Sequence, residues 1–416
     1  MGTKKGSFGE ITKLIATWTD EMVAVQQELT AIQALGPESG GKGEWARALY
    51  LRNLLEGWGL NDIQEYNAAD PRVPEGTRPN LVVRLAGKAA RPTIWVMAHM
   101  DVVPAGDLKK WSTDPWKATV KEGKIFGRGV EDNQQGLVSA LFALRALKDS
   151  GVTPPRDVAL ILVADEETGS RFGIDHVLEA APDLFQPDDL VVVPDAGNPD
   201  GSMLEVAEKS ILWLELTVQG KQVHASTPDQ GVNAARAAAH LTVRLDQALN
   251  GTFSGRDEVF DPPRSTFEPT RHDANVPNIN TIPGDEKLFF DCRVLPDVPL
   301  REVHAVVERV LREVEREFQV KIQVQSAQSA EAAPATSVDA PVVKALARAV
   351  EEVRGVQAKP MGIGGGTVAA LFRRKGIPAV VWSTMDDLAH QPDEYCVIAN
   401  MVEDAKVFAH LFLGKA

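Results

Sequence analysis

Apolar residues recur at three- and four-residue intervals through positions 9–35, as Ile11, Leu14, Ile15, Trp18, Met22, Val25 and Leu29, and this spacing predicts a helix. A second helix is predicted over 43–58, ending near Gly57 and Gly59. The pattern then changes to short continuous apolar runs: Thr93 to Ala98, Val158 to Ala164, Leu190 to Val193 and Ile377 to Trp382. Runs of that length, rich in Val and Ile, suit strands buried on both faces. Helix-like segments, Leu137 to Leu147 and about 367–374, fall between them. Buried strands alternating with helices predict an α/β fold with a mainly parallel sheet flanked by helices.

Residues 211–327 follow another rule. Ile211 to Val218 and Lys287 to Val294 partly alternate, as expected for a sheet with one wetter face. Helices predicted over about 231–249 and 300–317 separate the strand-like pieces. The order strand–helix–strand–strand–helix–strand matches a small ferredoxin-like α+β domain. The expected organisation is a larger domain of residues 1–208 plus 329–416, with residues 209–328 inserted into it. The Ala-, Ser- and Pro-rich stretch 327–338 reads as the connector back.

A chain of 416 residues, at about 150 per domain, accommodates this division. Acidic side chains outnumber basic ones, 58 to 44, for a net charge of −14, and no basic block offsets them. Nucleic acid and anionic membrane surfaces are therefore not expected partners. Cys292 and Cys396 form no CxxC pair and no disulfide framework, so a reducing, cytoplasmic setting is expected. The start, with Lys4 and Lys5, has no apolar segment after it, so no signal peptide is expected.

The chemistry gathers where the apolar runs end. The first leads into His99-Met-Asp101, the second into Asp165-Glu166-Glu167 and the third into Pro194-Asp195. The fourth is followed after a short loop by His390, and Gly127-Arg-Gly-Val-Glu-Asp132 lies between the first two. In open parallel sheets, ligands bind beyond the carboxyl ends of the strands, so these groups are expected to converge. Taken singly, an acidic residue at a strand end is usually solvated or a helix cap. A similar group at every strand end is harder to dismiss. Imidazoles with carboxylates suit zinc or a similar first-row divalent ion. The supply exceeds what one ion needs and points to two ions, one carboxylate bridging, with a shared activated water and a neighbouring carboxylate as general base. His176, His240, His272, His304 and His410 lie outside the pattern.

The runs His99-Met-Asp-Val-Val-Pro104, Gly127 to Asp132 and Asp165-Glu-Glu-Thr-Gly169 together resemble the co-catalytic zinc amidohydrolases. That family includes succinyl-diaminopimelate desuccinylase, acetylornithine deacetylase, aminoacylase, carboxypeptidase G and dipeptidases. The resemblance implies a zinc-peptidase-like catalytic domain with an inserted lid and dimerisation domain. It implies two divalent metal ions, zinc first, with cobalt or manganese as alternatives. His99 and Asp195 would hold one ion, Glu167 and His390 the other, and Asp132 would bridge. Asp101 would orient His99, and Glu166 would be the general base. Gly220 to Pro228 resembles the segment carrying a further catalytic histidine, here His224, which in dimeric members reaches the neighbouring subunit's site. Asn280 and Arg293 resemble substrate-binding positions. Arg293 would grip a substrate carboxylate, with an ion pair inside the sheet as the alternative. The Gly-rich run Gly362 to Thr367 lacks the ending of a phosphate-binding loop. The resemblance makes Gly365, Gly366 and Thr367 substrate contacts.

Three positions depart from the family pattern: Gln134 where a Lys is common, Val368 where many members are acidic, and Asp195 where the resemblance implies Glu in desuccinylase, deacetylase and carboxypeptidase members and Asp more often in dipeptidase-like ones. The last tilts the expectation toward peptides. The resulting expectation is a metal-dependent hydrolase that cleaves an amide bond in a short peptide or N-acyl amino acid with a free carboxylate. The alternatives are a strict N-acyl amino acid deacylase and a silent binding protein of the same fold. A homodimer through 209–328 is expected.

Overall fold

The structure, a computed structural model, describes residues 7–414. The lysine-bearing start, from which no signal peptide is expected, lies outside them. Two compact units emerge. The larger comprises 1–206, 336–360 and 367–416, and the smaller 207–335 and 361–366.

The larger unit is built on a sheet in the order Ile63–Glu65, Leu81–Leu85, Val158–Val163, Ile94–His99, Leu190–Asn198, Ala379–Thr384, Met203–Glu208, Lys359–Ile363, the last two of which end in residues of the smaller unit. The central strands, those of the four continuous apolar runs, are parallel. Every residue of Ile94–His99, Val158–Val163 and Ala379–Thr384 is buried. Burial on both faces is why these strands carry no polar alternation. Each such Val, Leu or Ile contributes roughly 1.5–3 kcal/mol relative to exposure. The helix Gln134–Asp149 packs against the C-terminal helix Ile398–Phe412 and is buried along most of its length. Among the described residues no helix is long and apolar enough to cross a membrane.

The N-terminal helix departs from the sequence reading. It is two helices, Phe8–Thr17 and Thr19–Ala31, interrupted at Trp18 with φ −98° and ψ 12°. Apolar spacing continues through the break, so periodicity does not reveal it. The interruption seats the Trp18 ring under the Arg145 guanidinium, 4.2 Å from the ring centre, with Trp58 also 4.6 Å from that cation.

The smaller unit is an antiparallel four-stranded sheet in the order Thr266–His272, Asp285–Val294, Ser210–Gln219, Lys321–Ala330. Helices Ala234–Thr252 and Leu300–Phe318 pack together, and their apolar faces share a core with the buried positions of the sheet. This is the ferredoxin-like order. The boundary read at 328 falls inside the last strand. The segment 361–366 clusters with the smaller unit, whereas the sequence reading put it in the larger one. Backbone pairing explains this: Gly362 N–H donates to the Val259 carbonyl (2.7 Å) and Lys209 N–H to the Ile363 carbonyl (3.0 Å). A Cβ on Gly362 would sit 2.3 Å from the Phe260 ring, so only glycine permits that approach.

Candidate metal centre

His99 ends its strand with a side chain 1% exposed. Its Nδ1 lies 3.1 Å from the Asp101 carbonyl oxygen. A carbonyl only accepts, so Nδ1 carries a proton, which leaves Nε2 as the ring nitrogen that would meet a metal ion. That Nε2 faces Asp132 Oδ1 at 3.0 Å and Asp195 Oδ1 at 3.3 Å. The other oxygen of Asp132, Oδ2, lies 3.3 Å from His390 Nε2, and Glu167 Oε2 lies 3.0 Å from the same nitrogen. Asp132 thus divides its oxygens between two donor groups: His99, Asp132, Asp195 and Asp132, Glu167, His390. His390 is 56% exposed on its side chain, so the centre opens to solvent at that end.

Asp101 does more than the sequence reading assigned. Its carbonyl orients His99, while its carboxylate accepts the Glu166 N–H (3.1 Å) and the Glu167 N–H (3.0 Å). Adjacent glutamates point apart in an extended chain. Here they sit on a short 3-10 turn, Glu166–Thr168, entered through Asp165 at φ 61°. Asp165 is itself tied down: it accepts from the Thr168 hydroxyl and the Phe172 N–H, and Arg78 lies 3.5 Å away. Behind it, Arg78 and Glu44 form a fully buried ion pair. Asn133 Nδ2 donates to the Pro194 carbonyl (2.6 Å) and to Asp195 Oδ1 (2.9 Å), a hold on Asp195 that the sequence reading missed.

The electrostatics fit a cationic occupant. Burial pushes the Glu166 carboxyl well above the usual range, and the Asp195 charge adds to this. Burial also raises Glu167, against the pull of His390. Burial opposes charge on His99, but bonds to Asp101, Asp132 and Asp195 overcome it and hold the imidazole well above its ordinary value. Asp132 and Glu167 raise His390 to about 10. Burial would raise Asp132, but the two imidazoles pull it below the carboxylate range. Crowded carboxylates that draw protons onto themselves and onto the neighbouring imidazoles are what a divalent ion relieves by taking the protons' place, and nitrogen and carboxylate oxygen suit zinc-like ions. These donors fit the two ions expected from the sequence.

The remaining predicted residues belong to the smaller unit, apart from Thr367. His224 is exposed on the smaller unit, its Nδ1 2.8 Å from Ser226 Oγ, and Asn280 Nδ2 is 3.4 Å from its Nε2. The guanidinium of Arg293 is already engaged. Nε and Nη2 donate to Asp291 (2.7 and 2.9 Å) and Nη1 donates to the Gly364 carbonyl (2.9 Å). The ion pair inside the sheet is the arrangement present. Gly365 opens onto free space, and the helix after the Gly-rich run begins at Ala369 and spans six residues. Gly365 and Gly366 belong to the smaller unit and Thr367 to the larger.

Comparison with known proteins gives the family. Residues 95–414 match peptidase family M20/M25/M40. An uncharacterized metallohydrolase of Methanococcus maripaludis is 38% identical over 409 residues, covering 94% of this chain and 98% of the relative. A succinyl-diaminopimelate desuccinylase of Wolinella succinogenes is 27% identical over 377 residues, covering 90% and 94%. Human carnosine dipeptidase 1 shares the fold, with a TM-score of 0.72 at 18% identity over 99% of both chains. The chain belongs to peptidase family M20/M25/M40 and is a metallohydrolase that uses divalent metal ions.

Proposed function

We propose that this chain hydrolyses an amide bond in a small amino-acid-derived substrate with a free carboxylate, a short peptide or an N-acyl amino acid. The observation that carries the reading is the division of Asp132 between two donor groups, with Glu166 next to Glu167 in the chain and under the charge of Asp195. His99 and Asp195 would hold one ion, Glu167 and His390 the other, and Asp132 both. When bound, such ions supply Lewis acidity and lower the pKa of water. Glu166 takes a proton from the attacking water and delivers it to the leaving amine nitrogen. Its backbone N–H is held by Asp101. Asp101 also fixes the tautomer of His99. His224 donates to the developing oxyanion from a second copy of the chain, docked through the smaller unit, in keeping with its exposed position. Arg293 holds the Gly-rich loop through Gly364, where Gly365, Gly366 and Thr367 would meet the substrate carboxylate together with Asn280. A strict N-acyl deacylase is the second reading, favoured by the desuccinylase likeness.

Amine release by zinc-loaded protein from dipeptides and from N-acetyl, N-succinyl and N-formyl amino acids tests the proposal. Hydrolysis of one class, abolished by Glu166→Gln, is expected. A metal-loaded protein that cleaves none of them would make it a binding protein of this fold.

A further inference from the structure

Asp132 and His390 come from segments far apart in the chain, and two buried glutamates bind those segments to each other in opposite directions. Glu394, four residues beyond His390, is fully buried. Its Oε1 accepts the N–H groups of Glu131 (2.9 Å) and Asp132 (3.2 Å). Its Oε2 accepts the Gly129 N–H (2.9 Å) and Arg128 Nη1 (2.7 Å). In the other direction, Glu131 Oε1 accepts the Asp386 N–H (2.7 Å) and Oε2 the Leu388 N–H (2.6 Å). Each carboxylate therefore spends both oxygens on the segment that carries the other's neighbouring candidate ligand.

The recipient loop needs such a hold. Residues 385–394 contain no helix or strand, and Asp387, His390 and Asp393 all have positive φ, between 58° and 65°. Left-handed backbone at non-glycine residues costs of order 1–3 kcal/mol each and persists where the surroundings over-determine it. Glu131 supplies such a hold from the centre side, at Asp386 and at Leu388, two residues before His390. A carboxylate is suited to this, because both its oxygens only accept. An amide at the same place would set an NH2 against one of the two N–H groups.

We propose that Glu131 is a positioning residue for His390: by gripping the amides of Asp386 and Leu388 it fixes the loop that aims His390 Nε2 at Asp132 and Glu167. This rests on reading those three side chains as one metal group. The test is zinc titration of full-length wild type, Glu131→Gln, His390→Ala and the double variant, with deuterium exchange over 385–391 in the metal-free proteins. Glu131→Gln is expected to weaken one of two zinc ions at least tenfold, to leave the other within threefold and to speed exchange in the loop. In the His390→Ala background it is expected to add less than a twofold change, since coupled residues are not additive. A purely structural role would lower both affinities together or add the same loss in both backgrounds, and either result overturns the proposal. So does a Glu131→Gln protein that binds both ions like wild type. Wild type that binds fewer than two ions would instead defeat the two-ion reading, and this inference with it. If Glu131→Gln does not fold, Glu131→Asp, a methylene too short to span both amides, is read the same way.

Discussion

The two units hold their functional candidates in opposite ways. In the larger unit, the residues at the strand ends lock one another: Asp101 fixes His99, Glu166 and Glu167, while Asn133 fixes Asp195. In the smaller unit, His224 and Asn280 stand on an exposed surface beside Ile279, which has no cover at all. A centre made from buried strand ends is preorganised before any ligand arrives, because the sheet pays the ordering cost. Groups on an exposed surface have fewer such holds: His224 has the Ser226 hydroxyl and, at 3.4 Å, the Asn280 amide. The difference predicts that substitutions in the larger unit change chemistry or metal binding outright. Those in the smaller unit should instead depend on substrate and on assembly.

The largest effect is expected at Glu166. Glu166→Gln should lower kcat by about 10³-fold, within the range for a lost general base, with metal content unchanged by elemental analysis. A fall in metal content would make Glu166 a ligand and blur the contrast. His224→Ala should lower kcat by about 10²-fold, the cost of one oxyanion donor, with unchanged metal content. Mixing it with Glu166→Gln should restore activity if the imidazole serves a second copy, and subunit-exchange assays check this. Inert mixtures of re-associated subunits would place its action within one chain. Arg293→Ala should raise KM about tenfold with kcat within twofold, as for lost uniform binding, read from steady-state kinetics. An equal fall in kcat would tie Arg293 to the transition state.

The smallest effect concerns Asp70, a carboxylate 3.6 Å from Arg78, the cation behind Asp165. A hydrogen bond from Arg72 outweighs burial and lowers Asp70 to about 2 from the ordinary 3.8. The unfolded chain therefore holds that proton more tightly. The stabilisation is complete above about pH 4 and is lost as pH falls toward 2. Arg72 is half exposed, so solvent screening leaves about 1 kcal/mol. Urea unfolding should show wild type exceeding Asp70→Asn by that margin at pH 6, with the gap narrowing at pH 3. A gap that does not change with pH would contradict the assignment.

What was legible in the sequence follows the same contrast. The parallel strands were visible because burial on both faces leaves uninterrupted Val, Ile and Leu. Their ends then named His99, Asp101, Glu166, Glu167 and Asp195. The roles of Glu131 and Glu394 were not visible. Glu131, whose partners are backbone N–H groups, leaves no complementary residue in the sequence, and the one side chain that Glu394 meets, Arg128, is 266 positions away. Only the position of Glu131, beside Asp132 in a motif already singled out, could have drawn notice. The break at Trp18 was hidden because the apolar spacing runs through it. The pairing of Arg293 with Asp291 was readable as two residues on one face of a strand. Its bond to Gly364 was not, because that required knowing that segment 361–366 pairs with the smaller unit.

The central claim is that Asp132 joins two ion sites. Zinc titration of the metal-free protein, wild type against Asp132→Ala, tests it most directly. The account predicts two ions per chain in wild type and weakened binding of both in the variant, while His99→Ala and His390→Ala each weaken one. A single ion in wild type, or an Asp132→Ala protein that keeps one site at full affinity, would contradict it.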